Sequence, residues 1–255
     1  MHWLEPFPRQ HELYMLSPAT SGFEQAYTAV RALEGRLLPD EIVRDLPDLP
    51  PGHALKAEWE QRKPGFRRLM AYLRLQKRPF QILDLGCGNG WFTRHLAAGT
   101  PHTVLGMDIN LLELKQAARL FAGPRCHFAY ADVFQADIPA HSFDLVICNG
   151  SVQYFPDLKA LVGRLKTLAQ PNAALHVIDS PVYPASEVPA ARERTQRYYC
   201  EQGIPEMAAY YFHLSREEVA ALGGRFLYQP QPVLRRLAEW VGKPLSPFPW
   251  IQFPL

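Results

Sequence analysis

The chain has 255 residues, 47% of them hydrophobic and 20% charged, with a formal net charge of +2. That length and apolar content suffice for a full buried core. The 27 basic side chains nearly balance the 25 acidic ones, which argues against nucleic acid or an anionic membrane as an obligate partner.

No apolar run reaches the length of a membrane span, and the opening "MHWLEPFPRQHELYML" has no basic segment followed by a long apolar one. The expected compartment is therefore the cytoplasm. Cys87, Cys126, Cys148 and Cys200 lie far apart with no C-x-x-C pair. That spacing argues against a disulfide framework or a zinc site, and no metal is expected.

The first 55 residues are proline-rich, including "RDLPDLPPGHAL", and read as an irregular extension that caps the core. The expected boundary is 1–63 for the extension and 64–255 for the main domain. In "PGFRRLMAYLRLQKRP", Phe66, Leu69, Met70 and Leu73 recur with helical spacing, which predicts an amphipathic helix that starts near Pro64 and ends before Pro79. Its basic off-face residues read as a solvated surface.

From residue 80 onward the pattern alternates. "ILDL", "TVLGMD", "CHFAYAD", "SFDLVICN" and "AALHVID" are short apolar runs, while "LLELKQAARLF" and "KALVGRLKTLA" have helical periodicity. Strands separated by helices predict an α/β fold with a mostly parallel sheet covered on both faces. After Asp179 the pattern breaks into a tyrosine- and proline-rich stretch, 180–214, too long for an ordinary connection and expected to act as a lid. Ser215 and Glu218 form a capping box for a helix, and "PVLRRLAEWVG" and "PFPWIQF" predict a last helix and strand.

The stretch "ILDLGCGNGWF" (82–92) carries the chemistry. Asp84 sits within an apolar run, where a carboxylate needs a partner. Gly86, Gly88 and Gly90 then let the backbone turn and approach a ligand. A dinucleotide fingerprint needs a third glycine where Trp91 stands, which disfavours a nicotinamide-dependent oxidoreductase, and no G-K-[ST] of a phosphate loop is present.

Asp84, Gly86, Gly88 and Gly90 in "LDLGCGNG" match without a gap the first motif, D/E-x-G-x-G-x-G, of class I S-adenosylmethionine-dependent methyltransferases, and the chain resembles that superfamily over residues 81 to 179. The resemblance implies a Rossmann-like fold with a seven-stranded sheet, plus an N-terminal extension and an insertion after the fifth strand. It implies S-adenosylmethionine as cofactor and S-adenosylhomocysteine as product. The cofactor would contact Cys87 and Asn89 in the glycine turn, and Asp84 would meet its ammonium group, directly or through water. Asp108 would take the ribose hydroxyls, an acceptor-only role that suits a carboxylate. Ile109 would pack on the adenine, Asp132 would meet its amino group with Val133 beside it, and Asn149, Gly150 and Ser151 would line the methionine part. Asp108 has a second reading as a helix-capping or surface loop aspartate, Asp132 as a turn former, and Asn149 as closing its strand by side-chain hydrogen bonding to the backbone.

The implied function is methyl transfer to a small or medium organic acceptor through an O, N or C nucleophile. A non-catalytic cofactor-binding module serving assembly or sensing is the alternative, because fold does not guarantee chemistry. "CNGS" in place of [DNS]-P-P-[YF] argues against the enzymes that methylate amino groups of DNA bases or protein glutamine. The 151–157 segment looks closest to the ubiquinone/menaquinone-biosynthesis-like branch (methyltransferase domain 11/25 type), with Gln153-Tyr154 replacing the histidine common there. Tyr154 and His213 are candidate general bases. Arg192, Arg194 and Arg197 near the lid suggest an anionic acceptor. Oligomeric state is not legible.

Overall fold

The computed structural model describes residues 1–18, 22–240, 242 and 245–255. The segment expected to be irregular instead contributes strands β1 (Arg9–Gln10) and β2 (Leu13–Met15) and helices α1 (Gly22–Leu33) and α2 (Asp40–Asp45). Its prolines fall between these elements. Within "GFEQAYTAVRAL" there is no proline, and the buried Ala26 and Val30 lie four residues apart on one helix face.

Helix α3 (Lys56–Arg74) runs through the expected 63/64 boundary with Pro64 inside it. The helix therefore begins eight residues before Pro64. An internal proline costs about 3 kcal/mol, offset here by a continuous buried stripe that includes Trp59 and Lys63 as well as Leu69, Met70 and Leu73.

The remaining elements are β3 (Gln81–Leu85), α4 (Trp91–Gly99), β4 (Thr103–Asp108), α5 (Leu111–Phe121), β5 (Cys126–Tyr130), β6 (Phe143–Asn149), α6 (Leu158–Leu168) and β7 (Ala169–Ile178). They are followed by β8 (Val182–Tyr183), α7 (Val188–Glu201), a 3₁₀ turn at Pro205–Tyr210, β9 (Leu214–Ser215), α8 (Arg216–Ala221), β10 (Arg225–Tyr228), α9 (Pro232–Trp240) and β11 (Trp250–Pro254). The stretch 180–214 is thus mainly helical, and β10 is a strand that no periodicity announced.

The main sheet has nine strands in the order β1-β2-β5-β4-β3-β6-β7-β11-β10. Seven of them form the mostly parallel sheet expected of the fold, with β11 antiparallel to β7 and to β10. The other two come from the N-terminal segment, where β2 pairs in parallel with β5 and β1 closes the edge. The sequence count missed them because strands of two and three residues carry no period.

Alternate residues of the central strands face opposite layers, as strand geometry requires. Leu83 and Leu85 join one core cluster with Leu161 and Leu165 of α6, and Ile82 joins the other with Leu69, Phe92 and Leu114 of α3, α4 and α5. Chain order reverses at β3, whose neighbours are β4 and β6. Ligands of open α/β sheets bind at the carboxyl ends of strands beside such a reversal.

Candidate functional site

Two cavities open at that end of the sheet, of about 380 Å³ and 290 Å³, and Tyr27, Gly86, Gly150 and Tyr154 line both. They form one cleft. The larger is walled by Asp108, Ile109, Asp132, Val133 and Ser151. The smaller is walled by Cys87, Gly88, Asn89 and Asn149. Twelve positions expected in the site thereby converge from the ends of β3, β4, β5 and β6.

Asp84, Gly90 and His213 line neither cavity. Asp84 is fully buried, and its Oδ2 accepts a 2.6 Å hydrogen bond from Thr93 Oγ1 in α4. It anchors helix to strand. Burial pushes its carboxyl up to about 7, with Thr93 opposing that rise. His213 is buried with its ring between Tyr183 and Tyr211, and its Nε2 meets Thr195 Oγ1 at 2.9 Å. Burial lowers its pKa. Asp84 Oδ1 and His213 Nδ1 are buried without a hydrogen-bond partner among the described residues.

The glycine turn has two distinct reasons for its composition. Gly86 has φ +79°, and a Cβ there would lie 2.3 Å from Ser151 Cβ. Gly90 has φ +75°, and a Cβ would meet Ala117 and Phe128 at 2.7 Å. No L side chain fits either position. At Gly90 the need is the packing of α4 against α5 and β5; at Gly86 it is the close approach of β3 to the loop after β6.

Asp108 ties the turn to β4. Its carboxylate accepts from the backbone N–H groups of Gly88 (2.8 Å), Ile109 (2.7 Å) and Asn110 (2.9 Å). Burial raises its pKa against these bonds. An ionised carboxylate has about four acceptor sites, so capacity remains toward the cavity it lines. Asp132 spends its oxygens locally, on Phe134 N and Gln135 Nε2, the geometry of a turn former. Val133 gives its carbonyl to Arg164 Nε at 2.9 Å. Ser151 Oγ donates to Leu85 O at 2.6 Å, clamping the two strand ends together.

The far wall comes from α1, which carried no legible signal, and from Tyr154 and the 180–214 stretch expected to act as a lid. Phe23 and Tyr27 of α1 pack with Tyr154 and Tyr210 at centroid distances of 5.3 to 5.6 Å. Together with Tyr199, Ile204 and Met207 they form a third, smaller apolar cluster. This canopy covers the cleft. Tyr154 lies within it, and burial raises its phenol pKa. Arg192, Arg194 and Arg197 are exposed on α7 and line neither cavity, which removes them as the basis for an anionic acceptor. Helical periodicity turns them outward, while Ala191 and Tyr199 turn inward.

Arginines do reach the cleft, from the N-terminal segment, as Arg31, Arg36 and Arg62. Each meets a carboxylate: Arg31 pairs with Glu113 at 3.3 Å, Arg36 with Glu34 and Glu58, and Arg62 with Glu58 at 2.7 Å. Asp179, just beyond β7, also lines the smaller cavity. It closes the run "AALHVID" as Asp108 closes "TVLGMD", the one sequence signal that pointed to it. Asn149 Oδ1 and both oxygens of Asp179 are buried and unpartnered among the described residues. Buried acceptors without donors are costly, and they suit a ligand that brings N–H or O–H groups. The cleft thus fits a cofactor with a planar apolar end, hydroxyls and an ammonium group.

Residues 82–172 match the family described as "Methyltransferase domain". An uncharacterized methyltransferase of Mycobacterium tuberculosis is 32% identical over 97 residues, covering 38% of this chain and 49% of that protein. The chain thus spans about half the length of that relative. A trans-aconitate 2-methyltransferase of Klebsiella pneumoniae is 28% identical over 212 residues, covering 79% of this chain and 80% of the relative. Among solved structures, geranyl diphosphate C-methyltransferase of Streptomyces coelicolor, in complex with Mg2+, geranyl-S-thiolodiphosphate and S-adenosyl-L-homocysteine, superposes with a TM-score of 0.56 at 12% identity, covering 93% of this chain and 98% of that one. A likeness at that identity is one of fold.

Proposed function

We propose that the chain is a class I S-adenosylmethionine-dependent methyltransferase that transfers a methyl group from S-adenosylmethionine to a small organic acceptor, a reading supported by the methyltransferase-domain match over residues 82–172 and by the relatives named methyltransferase. The observation that carries this reading is the convergence of Gly86, Asp108, Ile109 and Gly150 on one cavity, joined through Gly86 and Gly150 to a second, polar one. When bound, the cofactor supplies a sulfonium methyl group open to in-line displacement by a nucleophile.

The chain's own part is to bind, orient and exclude water. Asp108 takes the ribose hydroxyls and Ile109 an adenine face, with Val133 on the same apolar wall. Asn149 and the glycine turn receive the methionine end. Tyr27, Tyr154 and Tyr211 close the other side, and a dry, fixed arrangement of this kind contributes on the order of 7–11 kcal/mol through proximity alone.

Among the described residues no helix is long and apolar enough to cross a membrane. The four cysteines are free, which fits the reducing cytoplasm that this reading assigns to the reaction.

Calorimetric titration of ligand-stripped protein with S-adenosylmethionine and S-adenosylhomocysteine tests the proposal. Micromolar binding is expected. Asp108→Ala should weaken it about tenfold to a hundredfold, since hydrogen bonds to a charged group contribute about 1.5–3 kcal/mol each. A melting curve of the variant separates that loss from misfolding. Absence of binding by wild-type protein removes the reading, and turnover of labelled methyl separates an enzyme from a binding module.

A further inference from the structure

Asp179 follows Ile178, the residue that pairs with Asn149 across β6 and β7. Gly150 N donates to Ile178 O at 2.9 Å, so the two strand ends lie side by side, with Asp179 one residue beyond the Asn149–Ile178 pair. Asp179 has φ +53°, a left-handed conformation that costs a non-glycine residue about 1–2 kcal/mol. The residue is only 6% exposed, yet it lines the smaller cavity with both carboxylate oxygens unpartnered among the described residues. Gly65 makes room for it: a Cβ there would stand 3.1 Å from Oδ1. Gln153 Nε2 donates to Gly150 O at 2.6 Å and its Oε1 accepts from Ser180 Oγ at 2.9 Å. Arg62, the nearby cation, donates to Glu58 through Nη2, while its Nε has no partner among the described residues.

We propose that Asp179 selects the methyl acceptor: it receives an N–H or O–H donor of a neutral or cationic molecule and disfavours carboxylates. This deepens the methyltransferase reading and rests on it. A strained, buried carboxylate with no donor is an unfinished hydrogen-bonding site, and what completes it is a donor. Above about pH 7, where Asp179 carries its charge, a carboxylate acceptor would meet it as a like charge, in a cavity where Arg31, Arg36 and Arg62 each face a glutamate. The inference separates this chain from its relatives named trans-aconitate 2-methyltransferase, despite their similarity.

Three probes of one size and three charges test it: benzylamine, benzyl alcohol and benzoate, each titrated calorimetrically into the S-adenosylhomocysteine-loaded protein, with trans-aconitate in parallel. Benzylamine or benzyl alcohol should bind at least about tenfold tighter than benzoate, trans-aconitate should not bind, and Asp179→Asn should abolish the preference. Affinity for S-adenosylhomocysteine should stay within about twofold in that variant. Benzoate or trans-aconitate binding as tightly as benzylamine, no preference among the probes including no binding by any of them, or a preference unchanged in Asp179→Asn overturns the proposal. A fall of about tenfold or more in S-adenosylhomocysteine affinity of the variant also overturns it, by giving Asp179 to the cofactor's ammonium group. Failure of wild-type protein to bind S-adenosylhomocysteine is a different result: the methyltransferase reading falls, and this proposal with it.

Discussion

The floor of the cleft and its canopy are made by different means. The floor consists of backbone turns and short side chains at the ends of β3, β4 and β6, set between strands buried on both faces. The canopy consists of large side chains from α1, α7 and the 3₁₀ turn, held by a cluster of a few aromatic and aliphatic residues. Backbone at a buried strand end has almost no freedom to vary, whereas side chains on peripheral helices can change size and charge without unfolding the sheet. The difference teaches where to look for each property: cofactor capture in the floor, acceptor choice in what the canopy and Asp179 enclose.

The strongest way to break this comparison is at Gly86. An alanine there adds left-handed strain to a Cβ placed 2.3 Å from Ser151 Cβ, and overpacking of about 1–3 kcal/mol plus about 1–2 kcal/mol of backbone strain should lower the melting temperature sharply and abolish S-adenosylhomocysteine binding. A variant that melts and binds like wild type would show that the floor tolerates change after all.

Asp179→Asn should act next most strongly, and in the opposite direction. Burial raises this carboxyl from 3.8 to about 7, with Arg62 opposing the rise, so the folded state favours the protonated form. The ionisation penalty is absent below pH 3.8, grows as pH rises toward 7, and is constant above it. At about 1.36 kcal/mol per pH unit it reaches on the order of 4 kcal/mol before relaxation. The asparagine variant should therefore melt higher than wild type at about pH 8 and equal to it at about pH 3.5. A gap independent of pH would sink the assignment.

Arg31→Met probes the seam between the two regions. Arg31 reaches from α1 to Glu113, whose side chain is 4% exposed, and removal of one partner from a buried pair strands the other charge. A loss of about 2 kcal/mol is expected by chemical denaturation, with partial recovery when Glu113→Gln is added. At the canopy's outer edge, Tyr198 is exposed and donates to Glu34 at 2.5 Å. Tyr198→Phe should shift stability by no more than about 0.5 kcal/mol, because exposed polar contacts contribute little.

The floor was legible in the sequence to the same degree that it is rigid. The spacing of Gly86, Gly88 and Gly90 after an apolar run, and aspartates closing "TVLGMD" and "AALHVID", are local consequences of strand ends that face a ligand. Asp132 shows the limit of such reading: it lines the cavity while its carboxylate also accepts from Phe134 N and Gln135 Nε2, and spacing alone does not distinguish a ligand contact from a turn. Asp84 shows another, since Thr93 within the protein meets one oxygen of the anomalous carboxylate while Oδ1 has no partner among the described residues.

The residues by themselves determined the alternation of strand and helix, the glycine turn and the acidic strand ends, because each depends on interactions within a few neighbours along the chain. Only the tertiary structure decided that α1 folds back over the cleft, that β2 adds to the β5 edge, and that Arg31, Arg36 and Arg62 face carboxylates inside it while Arg192, Arg194 and Arg197 face solvent. Those outcomes depend on contacts between segments far apart along the chain. Arg31 and Glu113 are 82 residues apart, and no local period encodes a pairing at that distance.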